Sequence, residues 1–173
     1  IPLRLVGSEM CIRDSVDINQ EMLREGKKIS INNDLSKKCN FICSEGESIA
    51  LTDNYADILT ISFGIRNVSN RAECLKECFR ILKPGGIFMC MEFSLPKDII
   101  LRNLYDAWSY GLIPKFGKLI VGEEQPYKYL VDSIRTFPSP EEFSDIIISA
   151  GFKNTTIRQL TGNIVCIYRA EKI

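Results

Sequence analysis

The sequence predicts an α/β protein on a mostly parallel, twisted sheet with an antiparallel strand at its C-terminal end. Three observations predict it. Strand-like apolar segments alternate along the chain with segments of helical period. The run Ala56–Phe63 is apolar nearly throughout, as a strand covered on both faces would be. The chain ends in two β-rich runs, Thr155–Leu160 and Asn163–Arg169, joined at Thr161-Gly162, which reads as an antiparallel pair.

In chain order, Ser15–Ile18 is a short strand carrying an acidic residue, Asp17, near its end. Asn19 is placed to cap the helix that follows, with Met22 near its start and Ile29 further along. Phe41–Cys43 is a second short strand. Arg71–Leu82 has helical period, with Ala72, Leu75, Phe79 and Leu82 on one face. Lys83-Pro84-Gly85-Gly86 stops that helix, because proline cannot continue it and glycine permits a tight turn. Ile87–Phe93 is the next buried strand. Ser139, Pro140 and Glu142 form a capping box with proline at the first helical position, opening a helix that runs to Ala150 and ends at Gly151.

Between Pro96 and Arg135 the pattern changes. Leu101, Leu104, Tyr105, Trp108, Leu112 and Ile113 make a helical stripe, followed by Pro114, Gly117 and a second aromatic group, Tyr127 and Tyr129. An insertion of this length between a strand and a helix is either a lid over a substrate or a helical hairpin packed on the sheet.

Composition narrows the chemistry. The chain has 173 residues, enough for one domain with a proper core, and 45% apolar with 25% charged residues suits a globular protein. Lys plus Arg equals Asp plus Glu, 22 each, so no global field points to nucleic acid. No apolar run approaches the roughly 20 residues that cross a bilayer, and the N-terminus makes a poor signal peptide. Seven cysteines, an odd number, read as reduced and mostly structural; Cys74 and Cys78, four apart in a helix, share one face. There is no histidine, so a Ser-His-Asp or Cys-His mechanism is excluded. Proton transfer must use a carboxylate, tyrosine, a perturbed lysine or cysteine, or water.

The start of the chain is unusual. A doubly wound nucleotide-binding sheet begins with a strand and a glycine-rich turn about 20 residues ahead of its acidic strand end. No G-x-G occurs anywhere in this sequence. Residues 1–14 therefore read as a non-native, adapter-like segment, and 15–173 as a partial domain with a helical insertion at about 96–135.

Several blocks then appear in a fixed order. Val16-Asp17-Ile18-Asn19-Gln20-Glu21-Met22-Leu23, Asp53-Asn54-Tyr55-Ala56-Asp57 and Leu82-Lys83-Pro84-Gly85-Gly86 resemble successive motifs of class I S-adenosylmethionine-dependent methyltransferases. Ile61-Ser62-Phe63-Gly64-Ile65-Arg66-Asn67-Val68, Met91-Glu92-Phe93-Ser94, Tyr105-Asp106-Ala107-Trp108-Ser109 and Tyr129–Arg135 narrow the likeness. Together with Ala150-Gly151-Phe152 and Leu160-Thr161-Gly162 they resemble the ubiquinone/menaquinone biosynthesis C-methyltransferases from Ser15 to the C-terminus.

That resemblance implies a Rossmann-like fold without its first strand and glycine loop, S-adenosyl-L-methionine as cofactor, and C-methylation of a polyprenyl quinol ring. Asp17 matches the position that binds the cofactor ribose, though as a residue it serves equally well in helix capping. Glu45 and Gly46 match the adenine contacts, with Glu45 standing where relatives often have asparagine. Ser62, at a strand's carboxyl end, lies where ligands collect in open α/β sheets. Arg66 is a fixed cation suited to a ring oxygen, or else the partner of a nearby carboxylate. Asn67 orients a hydroxyl or makes a turn. Glu92 either takes up the ring proton or anchors Arg66. Tyr105, Tyr129 and Arg135 line the quinol pocket or belong to the core.

The family further implies a cytoplasmic protein, peripheral on the inner membrane (on the matrix side in a eukaryote), in a homodimer or a biosynthetic complex. Two other readings stay open. One is a class I methyltransferase for another small molecule; the other is an inactive fragment that acts only as a binding module.

Overall fold

A computed structural model describes residues 12–32, 38–107 and 125–173, which divide after Leu51 into two units. Trp108, Leu112, Ile113, Pro114, Gly117 and the first eleven residues lie outside the described residues.

In the first unit, β1 (Arg13–Asp17) pairs in parallel with β2 (Cys39–Cys43), Ser15 opposite Phe41 and Asp17 opposite Cys43. Strand β1 thus begins two residues before Ser15 and takes in Arg13 and Asp14. Between the strands runs α1 (Gln20–Asn32). Asn19 caps it: its Oδ1 accepts from the N–H groups of Glu21 at 3.0 Å and Met22 at 3.3 Å. Leu23 turns inward, while Met22 and Ile29 are exposed. A Cβ at Gly26 would lie 2.9 Å from the Phe41 ring, so glycine lets α1 approach β2 closely.

The second unit holds a four-stranded sheet in the order β3-β4-β6-β5: β3 (Ala56–Ser62), β4 (Leu82–Phe93), β5 (Lys153–Leu160) and β6 (Val165–Glu171). Strands β3 and β4 are parallel, and β6 runs antiparallel to both β4 and β5. The expected terminal pair is present. A short 3-10 turn, Thr161–Asn163, joins it, and three successive residues there have φ of 51°, 64° and 76°.

Helix α2 (Arg71–Ile81) is capped by Asn70 and buries Cys74, Leu75, Cys78 and Ile81. This corrects the predicted face. Ala72 is exposed and Leu82 already belongs to β4, because the strand pulls Leu82 opposite Ala56 before the chain bulges through Lys83–Gly86. Gly85 has φ +81°, and a Cβ on Gly86 would sit 2.7 Å from the Lys83 carbonyl oxygen. Both glycines are therefore needed, for different reasons.

Three more helices follow: α3 (Ile99–Asp106), α4 (Gln125–Arg135) and α5 (Pro140–Ser149). The capping box forms as predicted, Ser139 and Glu142 exchanging hydrogen bonds. The core gathers Leu75, Phe88, Phe143, Ile147, Phe152 and Tyr168, all fully buried. Four cysteines, Cys74, Cys78, Cys90 and Cys166, pack there as small apolar groups.

One expectation fails. Among the described residues strand β3 is not covered on both faces: Leu59 and Ile61 pack on the core, but Ile58 is 59% exposed and Thr60 and Ser62 are open as well. Helices α2 and α5 bury the core side of the sheet, whereas Ile58 and Met89 face outward.

Candidate active site

Strand β3 ends at Ser62, and the next residue, Phe63, takes the left-handed φ of 55°. For a bulky residue this costs of order 1–3 kcal/mol. Its amide still donates to the Met91 carbonyl at 2.8 Å, so the chain leaves the sheet sharply without losing that bond. The Phe63 carbonyl consequently accepts from Arg66 Nη1. Ile65–Asn67 then forms a 3-10 turn pinned by Ile65, which is fully buried.

Arg66 meets Glu92 here. Its Nη1 lies 2.9 Å from Glu92 Oε1, and its backbone N–H donates to Oε2 at 3.3 Å. The Phe93 N–H also donates to Oε1 at 2.9 Å. Glu92 is 1% exposed and the Arg66 side chain 11%, so this ion pair stands almost wholly out of water. The guanidinium lies 5.5 Å from the Phe93 ring centre, and that ring packs 4.4 Å from Phe63. Arg66 Nε is buried and has no hydrogen-bond partner among the described residues. An unused buried donor of this kind costs about 1–3 kcal/mol.

Asn67 and Tyr129 extend the cluster: the exposed Tyr129 hydroxyl donates to Asn67 Oδ1 at 3.1 Å, tying α4 to the 3-10 turn. Behind Arg66, Arg71 donates to the Arg66 carbonyl at 3.3 Å and lies 5.3 Å from the Phe137 ring centre. Arg135 Nη2 pairs with Asp106 Oδ1 at 2.6 Å, joining α4 to α3. Tyr105 stands beside that pair, and burial raises its phenol above the ordinary value.

The remaining predicted residues are placed as follows. Ser62 is exposed at the carboxyl end of β3, beside a shallow cavity of about 180 Å³ bordered by Thr60, Met89, Met91 and Ile167. In the first unit, Asp17 ends β1 half-buried, and its Oδ1 accepts from the Asn19 N–H at 2.7 Å. A half-buried carboxylate at a strand's carboxyl end has the chemistry to receive a diol. Capping itself falls to Asn19. Glu45 is exposed, with its carbonyl accepting from Ser48 N at 3.3 Å, and Gly46 is half-buried.

Thus Arg66, Asn67, Glu92 and Tyr129 come together, while Arg135 and Asp106 form a separate tie between helices, with Tyr105 beside it. Sequence reasoning missed Phe63 and Arg71. The only available cue to Phe63 was the following glycine, and nothing local distinguishes Arg71 from a solvated helix residue. Chemically, the cluster offers a rigid, largely buried cation at the strand end where α/β sheets take ligands.

The profile of the ubiE/COQ5 methyltransferase family matches residues 3–172. Ubiquinone/menaquinone biosynthesis C-methyltransferase UbiE of Rickettsia bellii is 45% identical over 157 residues, covering 91% of this chain and 63% of that protein. The rat protein named 2-methoxy-6-polyprenyl-1,4-benzoquinol methylase, mitochondrial, is 42% identical over 91% of this chain and 48% of its own. The chain therefore spans 63% and 48% of the length of these two relatives. A SAM-dependent methyltransferase of solved structure from Aquifex aeolicus superposes with a TM-score of 0.64 at 17% identity, covering 96% of this chain and 71% of that one. The fold is accordingly the α/β fold of class I methyltransferases, and with it this chain belongs to the ubiE/COQ5 methyltransferase family.

Proposed function

We propose that the protein containing this chain methylates a ring carbon of a polyprenyl benzoquinol or demethylmenaquinol. The carrying observation is Arg66, a cation fixed just beyond the carboxyl end of β3 by Glu92 and the Phe63 carbonyl. When bound, S-adenosyl-L-methionine supplies the electrophilic methyl group. The chain's own residues supply alignment and charge. Arg66 faces the ring hydroxyl and stabilises its oxygen as negative charge builds there, which raises electron density at the ring carbon under attack. Asn67 and Tyr129 orient that hydroxyl. Glu92 accepts from three donors and holds Arg66; the ring proton displaced by the methyl group leaves to water. Asp17 would receive the ribose hydroxyls of the cofactor, and Glu45 and Gly46 would meet its adenine.

Among the described residues no helix is long and apolar enough to cross a membrane. Ile99, Ile100 and Leu104 of α3 are nevertheless 64–72% exposed, beside Lys97 and Arg102. We place this helix against the surface of the inner bacterial or mitochondrial membrane, where the substrate resides.

The test is Arg66→Lys in the full-length protein, which keeps the charge and loses the planar fork. Methyl transfer from radiolabelled cofactor should fall by roughly 10²–10³ in kcat, while cofactor Kd measured by calorimetry changes little. Equal losses in both would overturn the role given to Arg66.

A further inference from the structure

Arg71 is the first residue of α2, where a cation meets the positive end of the helix dipole. Among the described residues it forms no ion pair that would offset this. Nor does the helix need it to start, since Asn70 Oδ1 already accepts from the Glu73 N–H at 3.2 Å. The half-buried side chain is engaged outside α2 altogether. Its Nη2 donates to the Arg66 carbonyl at 3.3 Å, and its guanidinium carbon lies 5.3 Å from the centre of the Phe137 ring. Phe137, between α4 and α5, is 7% exposed and packs 4.9 Å from the Phe143 ring. The guanidinium is thus a donor resting on a fixed ring.

The carbonyl that Arg71 reaches belongs to the peptide joining Arg66 to Asn67. A peptide group is planar, so holding both of its polar atoms fixes its orientation. The N–H of this peptide, on Asn67, donates to the Gly64 carbonyl at 3.0 Å, and its oxygen is held by Arg71. Glu92 holds the peptide before it, through the Arg66 N–H at 3.3 Å, and the tip of the Arg66 side chain. Arg71 therefore completes what Glu92 begins. It sets the plane from which both Arg66 and Asn67 leave the backbone.

We propose that Arg71 is a positioning residue for methyl transfer, acting through the Arg66–Asn67 peptide without touching the substrate. The proposal rests on the quinol reading. Without the hydrogen bond from Arg71 that peptide can rotate, and Arg66 loses the fixed bearing with which it meets charge building on the ring oxygen. Binding of the uncharged ground state depends less on that bearing, so the loss falls on turnover. A role confined to the stability of α2 would lower the melting temperature and leave turnover of the folded protein intact.

A double-mutant cycle in the full-length protein tests it, read by methyl transfer from radiolabelled cofactor to a farnesylated benzoquinol. Arg71→Met keeps an unbranched side chain over Phe137 and removes the donor. Its kcat should fall by about ten- to a hundredfold, with quinol KM and cofactor Kd little changed. Arg71→Lys, which keeps the charge and a donor, should retain most of the wild-type kcat. In an Arg66→Ala background the further loss from Arg71→Met should largely vanish, because the group being positioned is already gone. A kcat unchanged by Arg71→Met, an Arg71→Lys as slow as Arg71→Met, or an undiminished loss in the Arg66→Ala background overturns the role of Arg71 alone. Should Arg71→Met fail to fold, Arg71→Gln takes its place in the cycle, and a loss of kcat that vanishes or persists without Arg66 decides in the same way. A wild-type protein that does not methylate the quinol overturns the quinol reading and this role with it.

Discussion

Taking away the Glu92 carboxylate leaves Arg66 charged and buried with nothing to balance it. Glu92→Ala should therefore cost about 3–5 kcal/mol, whereas the paired change Arg66→Met with Glu92→Leu should cost far less, since two apolar groups of similar size need no partner. Urea unfolding of both variants separates the cases. A second residue-level expectation concerns thiols. Hydrogen bonding from Cys74, and then burial, pushes the Cys78 thiol up, and burial does the same to Cys90. Cys43 is exposed. Iodoacetamide should label Cys43 in the folded protein while Cys74, Cys78, Cys90 and Cys166 wait for unfolding, as peptide mass spectrometry would show. Arg66 and Glu92 were legible in the sequence because the blocks Ile61–Val68 and Met91–Ser94 that hold them resemble the family's and lie at the ends of readable strands. Phe63 at positive φ and Arg71 on the Arg66 carbonyl were not, because both are set by what lies opposite rather than by neighbours in sequence.

The turn between α2 and the body of β4 contains two glycines that should respond differently to one methyl group. Gly85 needs only its positive φ and meets nothing within 4 Å, so Gly85→Ala should cost about 1–2 kcal/mol. Gly86 would press a Cβ against two carbonyl oxygens, of Lys83 at 2.7 Å and Asp57 at 3.2 Å. Backbone yields less readily than side chain, so Gly86→Ala should be the more damaging, which thermal melts would rank. At the start of α5, the Ser139 hydroxyl and amide hold the Glu142 carboxyl below its ordinary 4.5. A depressed carboxyl stabilises the fold above its unfolded value, and that contribution disappears as pH falls below 4.5 through the folded value. Ser139→Ala should lower stability by about 1 kcal/mol at neutral pH, and by less in acid, where Glu142 is protonated in both. The cap was visible in the sequence as Ser-Pro-Glu-Glu, since its signal is local. The end of α2 was misplaced by one residue because Leu82 obeys its strand partner Ala56, which no local pattern announces.

At the scale of the molecule, the two units differ in what holds them. The β1–β2 pair is two parallel strands under one helix, with few fully buried side chains. Strands β4 and β6 lie inside a four-stranded sheet over an aromatic core. Hydrogen exchange should accordingly release the β1 and β2 amides well before those of β4 and β6. Alternation of elements along the chain was enough to give the α/β class and the antiparallel finish. It was not enough to show that the described strands divide into separate sheets of two and four, because sheet order depends on pairings remote in sequence. As the first strand of its sheet, β3 has a row of backbone groups on one side without a neighbouring strand in that sheet, and Ile58 stands open on its face. Such a border is a template for adding a strand from any other molecule. Preparations of this chain at high concentration should therefore self-associate, a tendency that light scattering would detect and that Ile58→Lys should suppress while leaving the Arg66–Glu92 pair in place.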